Sequence, residues 1–189
     1  FPPPVNYASD NFFAQESPIS DENPGRIHVS ILGPPTKSRT LADQPIASSL
    51  QAVQELNEQF DENVVDKYWT LVSYYNSLRE LGGAQSSLSG RIKNEFIPSF
   101  SSDEEFAREI SNVKELTSRV SQDTLINTKQ SLSMPLDSSS DEAVDVVVTS
   151  NLFQVGIDIE RLGLMAINGQ PKSNSEYIQS SGRVGRKYP

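Results

Sequence analysis

The chain contains no cysteine and only one histidine, His28, among its 189 residues. Disulfides and thiolate metal sites are therefore excluded, and so is any metal cluster that needs several imidazoles. The absence of cysteine is compatible with a cytosolic protein. His28 falls in a β-rich run at residues 26–32, where we expect a partly exposed strand residue rather than a metal ligand.

Long apolar runs are also absent. No uninterrupted apolar stretch approaches the roughly twenty residues that a membrane-spanning helix needs, and the proline-rich start lacks the charged and apolar regions of a signal peptide. We therefore expect a soluble, cytoplasmic chain that does not contact a membrane. Because it opens without methionine and stops three residues after Arg186, we also expect a fragment of a longer protein.

Positive charge is scarce, with 16 Lys and Arg against 25 Asp and Glu and a formal net charge of −9. Affinity for a nucleic-acid backbone depends on lysine and arginine replacing condensed counterions. The overall charge therefore argues against a free-standing nucleic-acid binder. The length of 189 residues accommodates one substantial domain, and 35% hydrophobic with 22% charged residues suits a globular α/β domain with polar loops.

Residues 1–25 combine prolines, asparagines and acids without apolar periodicity, which predicts an irregular arm or linker before a domain at 26–189. Within that domain β-rich and helical patterns alternate. The predicted strands are 26–32, 69–75, 113–116, 144–148 and 162–167, and the predicted helices are 45–63, 92–110 with an interruption at 98–103, 122–132 and 173–181, while Gly82-Gly83 is expected to break the element after the second strand. This alternation predicts a parallel sheet covered on both faces.

A phosphate-binding loop is not present at residues 33–38, although the run Gly-Pro-Pro-Thr-Lys-Ser suggests one. The required spacing, Gly-x-x-x-x-Gly-Lys-Ser/Thr, fails there. The prolines also remove backbone donors that such a loop would need. Since no Walker A lysine and no Asp-Glu pair on a strand is recognisable, an independent nucleotide-binding domain is the disfavoured hypothesis.

The C-terminal run Gln-Ser-Ser-Gly-Arg-Val-Gly-Arg sets Arg183 and Arg186 three residues apart on a glycine-punctuated turn after a predicted helix. Glycine lets a backbone approach a ligand closely, and guanidinium groups are always-charged forks of donors that match phosphate oxygens. Such cations serve as arginine fingers in nucleotide hydrolysis. The alternative interpretation is a solvated basic turn.

Polar residues follow several predicted strands, at the edge where parallel sheets bind ligands. Hydroxyls there can donate to phosphates, and the carboxylate of Asp158 in the loop after Thr149 and Ser150 can accept from a ribose hydroxyl. The polar residues of this edge are Asn76, Ser77, Thr117, Ser118, Arg119, Thr149 and Ser150.

These residues resemble the second RecA-like lobe of superfamily 2 helicases, with 150–158 matching motif V and 179–186 matching motif VI. The amino-acid sequences of residues 68–81, 115–119 and 163–185 look like those of the bacterial helicases of the DISARM phage-defence type. The resemblance spans residues 26–186. It implies an α/β fold of the RecA-like (P-loop NTPase-like) type, a parallel sheet with helices on both faces.

The resemblance also implies residue roles. Arg183 and Arg186 would stabilise charge on the γ-phosphate, and Gly156 would clear space for Asp158 at the ribose. Gln179 and Gly182 would complete the ATP-binding set, and Gln179 would also help couple the cleft to the strand-binding surface. The seven polar residues of the sheet edge would contact the sugar-phosphate backbone of a single strand. Ser180 and Ser181 depart from many relatives, which carry a basic residue there, and this puts secondary contacts in doubt.

Structural alternatives accompany these roles. Asn76 and Ser77 can instead cap a helix, Arg119 can form a surface ion pair, and Asp158 can be a turn residue. The aromatic residues Tyr74, Tyr75 and Phe153 can stack on bases, although we expect core packing for at least two of them.

The resemblance finally implies partners and a function. ATP and Mg²⁺ would be held mainly by an N-terminal RecA-like lobe of the same parent chain, so this piece alone would be inactive. The parent would be an ATP-dependent helicase or translocase on single-stranded or duplex DNA, with RNA not excluded, and defence-system proteins are possible partners. The alternative is a catalytically silent RecA-like scaffold in a defence complex.

Overall fold

The computed structural model describes residues 20, 25–34, 38–136, 143–150 and 159–186. The chain divides into two compact units, Phe1–Val29 with Pro189, and Ser30–Tyr188. In the first unit, Ile27 is 89% exposed, and in the second, Leu32 is 93% exposed. Residues 25–34 form neither helix nor strand, so the strand predicted at 26–32 is wrong. Alternating apolar residues form a strand only where a buried face receives them, and these side chains are exposed.

Four parallel strands form the sheet of the second unit: β1 Leu71–Tyr75, β2 Val113–Leu116, β3 Val146–Thr149 and β4 Leu164–Asn168. Their order is β2-β3-β1-β4. The two central strands, β1 and β3, are buried along their whole length, as their continuous apolar sequences require. The predicted parallel α/β sheet is confirmed, with β2 at its predicted bounds and the others shifted by two residues or fewer at each end.

Six α-helices surround this sheet in the part of the chain that the structure describes. They are α1 Ser38–Asn57, α2 Glu62–Trp69, α3 Leu78–Ser87, α4 Ile97–Phe100, α5 Gln122–Ser133 and α6 Asn174–Ser181. The helix predicted at 45–63 is thus two helices, α1 and the start of α2. The predictions for 122–132 and 173–181 are confirmed to within a residue. None of the described helices is both long and apolar enough to cross a membrane.

The pair Gly82-Gly83 does not break a helix, contrary to the prediction. Instead α3 continues directly into a π-helix, Leu88–Phe96, and then into α4. Each glycine costs roughly 1 kcal/mol in a helix interior. Burial of the apolar face outweighs this cost, since a buried side chain of this size contributes about 1.5–3 kcal/mol. The buried apolar residues of the continuous helical segment are Leu81, Ala84, Leu88, Ile92 and Ile97.

The core lies on both faces of the sheet, because successive strand residues point in opposite directions. Leu71 and Tyr75 join a cluster with α1, α3 and the π-helix, whereas Val72 and Tyr74 join a cluster on the other face with Leu132 of α5. Core packing of Tyr74 and Tyr75 is therefore confirmed, and neither is available to stack on a base. Phe153 lies outside the described residues.

A buried ion pair fastens the chain before β2 to the start of β3. The guanidinium of Arg108 donates to Asp145 at 3.0 Å and lies 3.5 Å from the centre of the Trp69 ring. Asp145 also accepts the backbone N–H groups of Ser111 and Asn112, each at 2.9 Å. The predicted helix at 92–110 ends earlier, at Phe100, and residues 107–112, which contribute to these contacts, form neither helix nor strand.

Two glycines give opposite expectations for substitution by alanine. A Cβ on Gly163 would lie 2.6 Å from the carbonyl oxygen of Lys67, whereas a Cβ on Gly82 would meet nothing within 4 Å. Gly163→Ala should lower the free energy of unfolding by about 1–3 kcal/mol through overpacking. Gly82→Ala should raise it by up to about 1 kcal/mol through helix propensity. Urea unfolding of the two variants checks this, and shifts of the same sign would contradict it.

Candidate functional site

The loop after α6 carries the two arginines of the predicted motif VI. Val184, between them, is 5% exposed and packs in the same core cluster as Val72 and Leu162. The next residue, Gly185, has a φ of +63°, a conformation that disfavours other residues. Its N–H donates to the carbonyl oxygen of Leu162 at 2.7 Å. These contacts turn the backbone at 182–186 around a buried valine.

On either side of the buried Val184 and Gly185, the two arginines reach the surface. Gln179, Gly182, Arg183 and Arg186 line an open depression of about 320 Å³, together with Ile178. Arg183 is half-buried and Arg186 is exposed. The structure therefore brings together four of the residues that the sequence assigned to ATP binding and catalysis. The other two, Gly156 and Asp158, lie outside the described residues.

Helix α6 is held in place by its first turn. The hydroxyl of Ser173 accepts the N–H of Glu176 at 3.2 Å and caps the helix. One carboxylate oxygen of Glu176 accepts the N–H of Lys172 at 3.1 Å, and the other accepts the hydroxyl of Tyr74 at 2.6 Å. The helix that leads to the arginines is thereby fastened to the end of β1.

The contact between Tyr74 and Glu176 was missed by sequence reasoning, which treated the tyrosine only as an aromatic body. The available signal was the hydroxyl itself, since a buried tyrosine usually places its O–H against an acceptor. Burial raises the pKa of Tyr74 to about 12, with further contributions from Glu176 and a smaller opposing one from Ser180. The phenol therefore stays protonated and donates at neutral pH.

At the carboxyl edge of β1, Asn76 and Ser77 make structural contacts. The amide nitrogen of Asn76 donates to the carbonyl oxygens of Asn168 at 3.3 Å and Gln170 at 3.2 Å, which joins the ends of β1 and β4. The hydroxyl of Ser77 accepts the N–H of Glu80 at 3.3 Å and caps α3. The capping alternative is confirmed for Ser77, whose side chain is nonetheless exposed at the edge.

The residues after β2 and β3 divide by exposure. Thr117 and Thr149 are fully buried, and their hydroxyls donate to the carboxylate of Glu115 at 2.5 Å and to the carbonyl oxygen of Leu116 at 2.7 Å. Ser118 is exposed and Ser150 is half-buried. The hydroxyls of the two threonines therefore donate hydrogen bonds to protein oxygens at the strand ends, whereas the two serines reach the surface.

Arg119 forms the surface ion pair that was its structural alternative. Its Nε and Nη2 donate to the two carboxylate oxygens of Glu115 at 2.5 and 2.7 Å. The hydrogen bond from Arg119 holds the pKa of Glu115 below its usual value, while burial opposes that effect. The guanidinium remains exposed, so its outer side faces solvent at the carboxyl edge of β2.

Comparison with known proteins identifies the class to which this arrangement belongs. Residues 95–188 match the family described as Helicase conserved C-terminal domain. This range contains β2, β3, β4, α6 and residues 182–186, which we call the arginine loop. Over residues 95–188, just under half of the chain, it is similar to the C-terminal domain of helicases, and the predicted resemblance to a C-terminal helicase lobe is confirmed.

A relative of known type indicates which helicases this chain resembles. The chain is 40% identical over 192 residues to the DISARM protein DrmA of Bacillus paralicheniformis (strain ATCC 9945a / NCIMB 11709 / CD-2). The alignment covers 100% of this chain and 17% of that protein. The resemblance to the DISARM type is therefore confirmed, and the chain spans only a small part of the relative's length.

A solved structure is also similar. It is Mss116p DEAD-box helicase domain 2 bound to an RNA duplex, with a TM-score of 0.46 and 16% sequence identity. The similarity covers 76% of this chain and 47% of that chain.

Removing the Tyr74 hydroxyl should weaken the fold in a pH-dependent way. Tyr74→Phe leaves an oxygen of Glu176 without its donor, which should cost about 1–2 kcal/mol at pH 8. The pKa of Tyr74 is raised from 10.0 to about 12, so the stabilisation is complete below pH 10 and is lost as pH rises through 12. The difference between wild type and variant should therefore shrink between pH 8 and pH 11, measured by urea unfolding.

Tyr68→Phe is the control, because the Tyr68 hydroxyl makes no hydrogen bond to the described residues. It should be close to neutral at both pH values. Equal effects of the two substitutions would contradict the assignment.

Proposed function

We propose that this chain is the C-terminal lobe of an ATP-dependent helicase or translocase, and that it supplies arginine fingers to an ATP site shared with an N-terminal lobe. The arginine loop carries this proposal. Val184 and Gly185 anchor the backbone, so Arg183 and Arg186 are presented on one depression at a set distance apart. A transferring phosphoryl group develops charge that fixed guanidinium groups stabilise.

The depression is open rather than enclosed, which supports a shared site. A ligand lying against Gln179, Gly182 and the arginines would keep much of its surface in water. Closure by a second surface would exclude that water and strengthen every charge interaction inside. We assign the second surface to the N-terminal RecA-like lobe of the parent, which would hold most of ATP and Mg²⁺. Gly156 and Asp158 remain predicted contacts for the ribose.

The carboxyl edge of the sheet is the proposed strand-binding surface. Asn76, Ser77, Ser118, Arg119 and Ser150 reach this edge with exposed or half-buried side chains. We assign phosphate and sugar contacts to them, because hydroxyls, amides and arginines position a backbone without reading its sequence. Thr117 and Thr149 would support the same contacts from below, by fixing the strand ends.

The nucleic acid is proposed to be single-stranded or duplex DNA, and RNA fits the same contacts. The similarity to a DISARM protein suggests defence-system proteins as further partners. We also propose a cytoplasmic location. The competing function is a silent scaffold with the same fold. Retention of both arginines on one depression counts against it, since a scaffold does not need them.

Replacing either arginine should abolish most hydrolysis. In the full-length protein, Arg183→Ala and Arg186→Ala should each lower strand-stimulated ATP turnover tenfold or more, about 1.4 kcal/mol of transition-state stabilisation. ATP binding should be largely retained, because the other lobe holds most of the nucleotide. Lys129→Ala, which removes a cation of α5 that does not line the depression, is the control and should be neutral. Unchanged turnover in the arginine variants, or none in wild type, would favour the scaffold.

The role of Arg119 is tested by the salt dependence of strand binding. Arg119→Ala should weaken binding of a fluorescent single-stranded oligonucleotide and lower the slope of log K against log salt by about 0.7, the value for one lost phosphate contact. Glu115→Gln removes the carboxylate that competes for the guanidinium, so it should strengthen binding. An unchanged slope in Arg119→Ala would show that the arginine forms only its ion pair.

A further inference from the structure

Arg161 is a buried arginine that the proposed ATP site does not use. Its side chain is 7% exposed and reaches two helices and the residue that precedes β1. Nε donates to a carboxylate oxygen of Asp66 in α2 at 2.9 Å, and Nη2 donates to the Asp66 carbonyl oxygen at 3.2 Å. Nη1 donates to the hydroxyl of Thr70, just before β1, and to the carbonyl oxygen of Leu132 in α5, both at 3.2 Å.

The carboxylate of Asp66 likewise accepts several hydrogen bonds. Besides Arg161, its carboxylate accepts the N–H of Leu136 at 2.6 Å and the ammonium of Lys67 at 3.2 Å. Burial raises the pKa of Asp66, but the hydrogen bonds from Arg161 and Leu136 outweigh burial, so the pKa lies below its usual value. Both members of the pair are therefore charged at neutral pH, although both side chains are buried.

The ion pair belongs to a short segment that contacts the arginine loop. Gly163 donates its N–H to the carbonyl oxygen of Lys67 at 2.7 Å, so Arg161 and Gly163 both fasten the segment to α2. Between them, the carbonyl oxygen of Leu162 accepts the N–H of Gly185 at 2.7 Å. A continuous series of contacts thus runs from α2 through residues 161–163 to Gly185, which lies between Arg183 and Arg186 in the sequence.

Stability alone does not account for a buried charge pair at this place. Replacing such a pair by apolar residues of similar volume is often neutral or stabilising, because the desolvation cost offsets the attraction. What a guanidinium with four acceptors does provide is a fixed orientation of the backbone that carries it. Fingers that stabilise a transition state need their geometry held to within roughly 0.5 Å.

We propose that Arg161 and Asp66 are positioning residues for the arginine loop: they fix the Leu162 carbonyl that holds Gly185, and so set where Arg183 and Arg186 meet the phosphate. The inference rests on the proposed function, since it assigns the two arginines to hydrolysis. Neither Arg161 nor Asp66 contacts the nucleotide itself. Their effect acts through the backbone of residues 161–163 and 185.

The test removes both charges at once, so that no unpaired charge stays buried. In the full-length protein, the double variant Asp66→Leu with Arg161→Met should remain folded, with a thermal midpoint close to that of wild type. Its KM for ATP should stay within about twofold, while kcat should fall tenfold or more. Affinity for ADP with aluminium fluoride, a mimic of the transferring phosphoryl group, should fall with kcat, whereas affinity for ADP alone should not.

A second buried pair serves as the matched control. Arg108→Met with Asp145→Leu removes a similar ion pair whose side chains, among the described residues, form no hydrogen bond with residues 161–163 or 182–186, so kcat should be retained. If the Asp66 and Arg161 double variant does not fold, Arg161→Lys replaces it. The lysine keeps the charge beside Asp66 but cannot reach all the acceptors, so kcat should again fall at an unchanged KM.

The outcomes separate this inference from the function on which it rests. A folded double variant, or Arg161→Lys, with wild-type kcat and wild-type affinity for ADP with aluminium fluoride would overturn the positioning role. If Arg183→Ala is inactive in the same assay, the proposed function survives that result. A wild-type protein without ATP hydrolysis would overturn both. If kcat falls equally in the Arg108 and Asp145 control, the pair of Arg161 and Asp66 stabilises the fold without a specific positioning role, and the inference is overturned.

Discussion

Parallel pairing of β1 with β3 on one side and β4 on the other is the constraint on which the rest of the structure depends. In this register Tyr74 lies opposite both Thr149 and Ile167, so the strands end together at one edge. Residues that are distant in sequence, such as Ser77, Ser118 and Ser150, therefore reach that edge side by side. The same alignment places Tyr74 under α6 and thereby ties the sheet to the helix that leads to the arginines.

Charge is used locally rather than globally in this lobe. The net charge of −9 gives no general attraction for phosphate, yet the arginines are placed individually. Arg108 and Arg161 are buried in ion pairs that fasten separate elements together, and Arg119 lies at the surface with Glu115. Arg183 and Arg186 line the open depression. An acidic chain can thus still present positive charge at one depression of its surface.

Local patterns predicted much of the fold. The strand at 113–116 was predicted with the bounds that it has, and the helix at 122–132 to within one residue, where a serine caps the first turn. The failures occurred where tertiary packing opposed a local signal. Gly82-Gly83 lies inside a helix because its neighbours are buried, and residues 26–32 alternate without forming a strand. Among the candidate site residues, exposure could not be read from sequence, so Thr117 and Thr149 resembled ligands although their hydroxyls serve protein acceptors.

The sequence by itself determined the class of this protein, a parallel α/β helicase lobe with two arginines on a glycine-punctuated turn, since apolar periodicity and motif spacing are properties of neighbouring residues. Only the tertiary structure decided how that turn is held. The contacts of Leu162 with Gly185, of Arg161 with Asp66 and of Tyr74 with Glu176 join residues between 23 and 102 positions apart. Strand order and packing determine which residues pair at such separations, so a pattern among neighbouring residues cannot predict them.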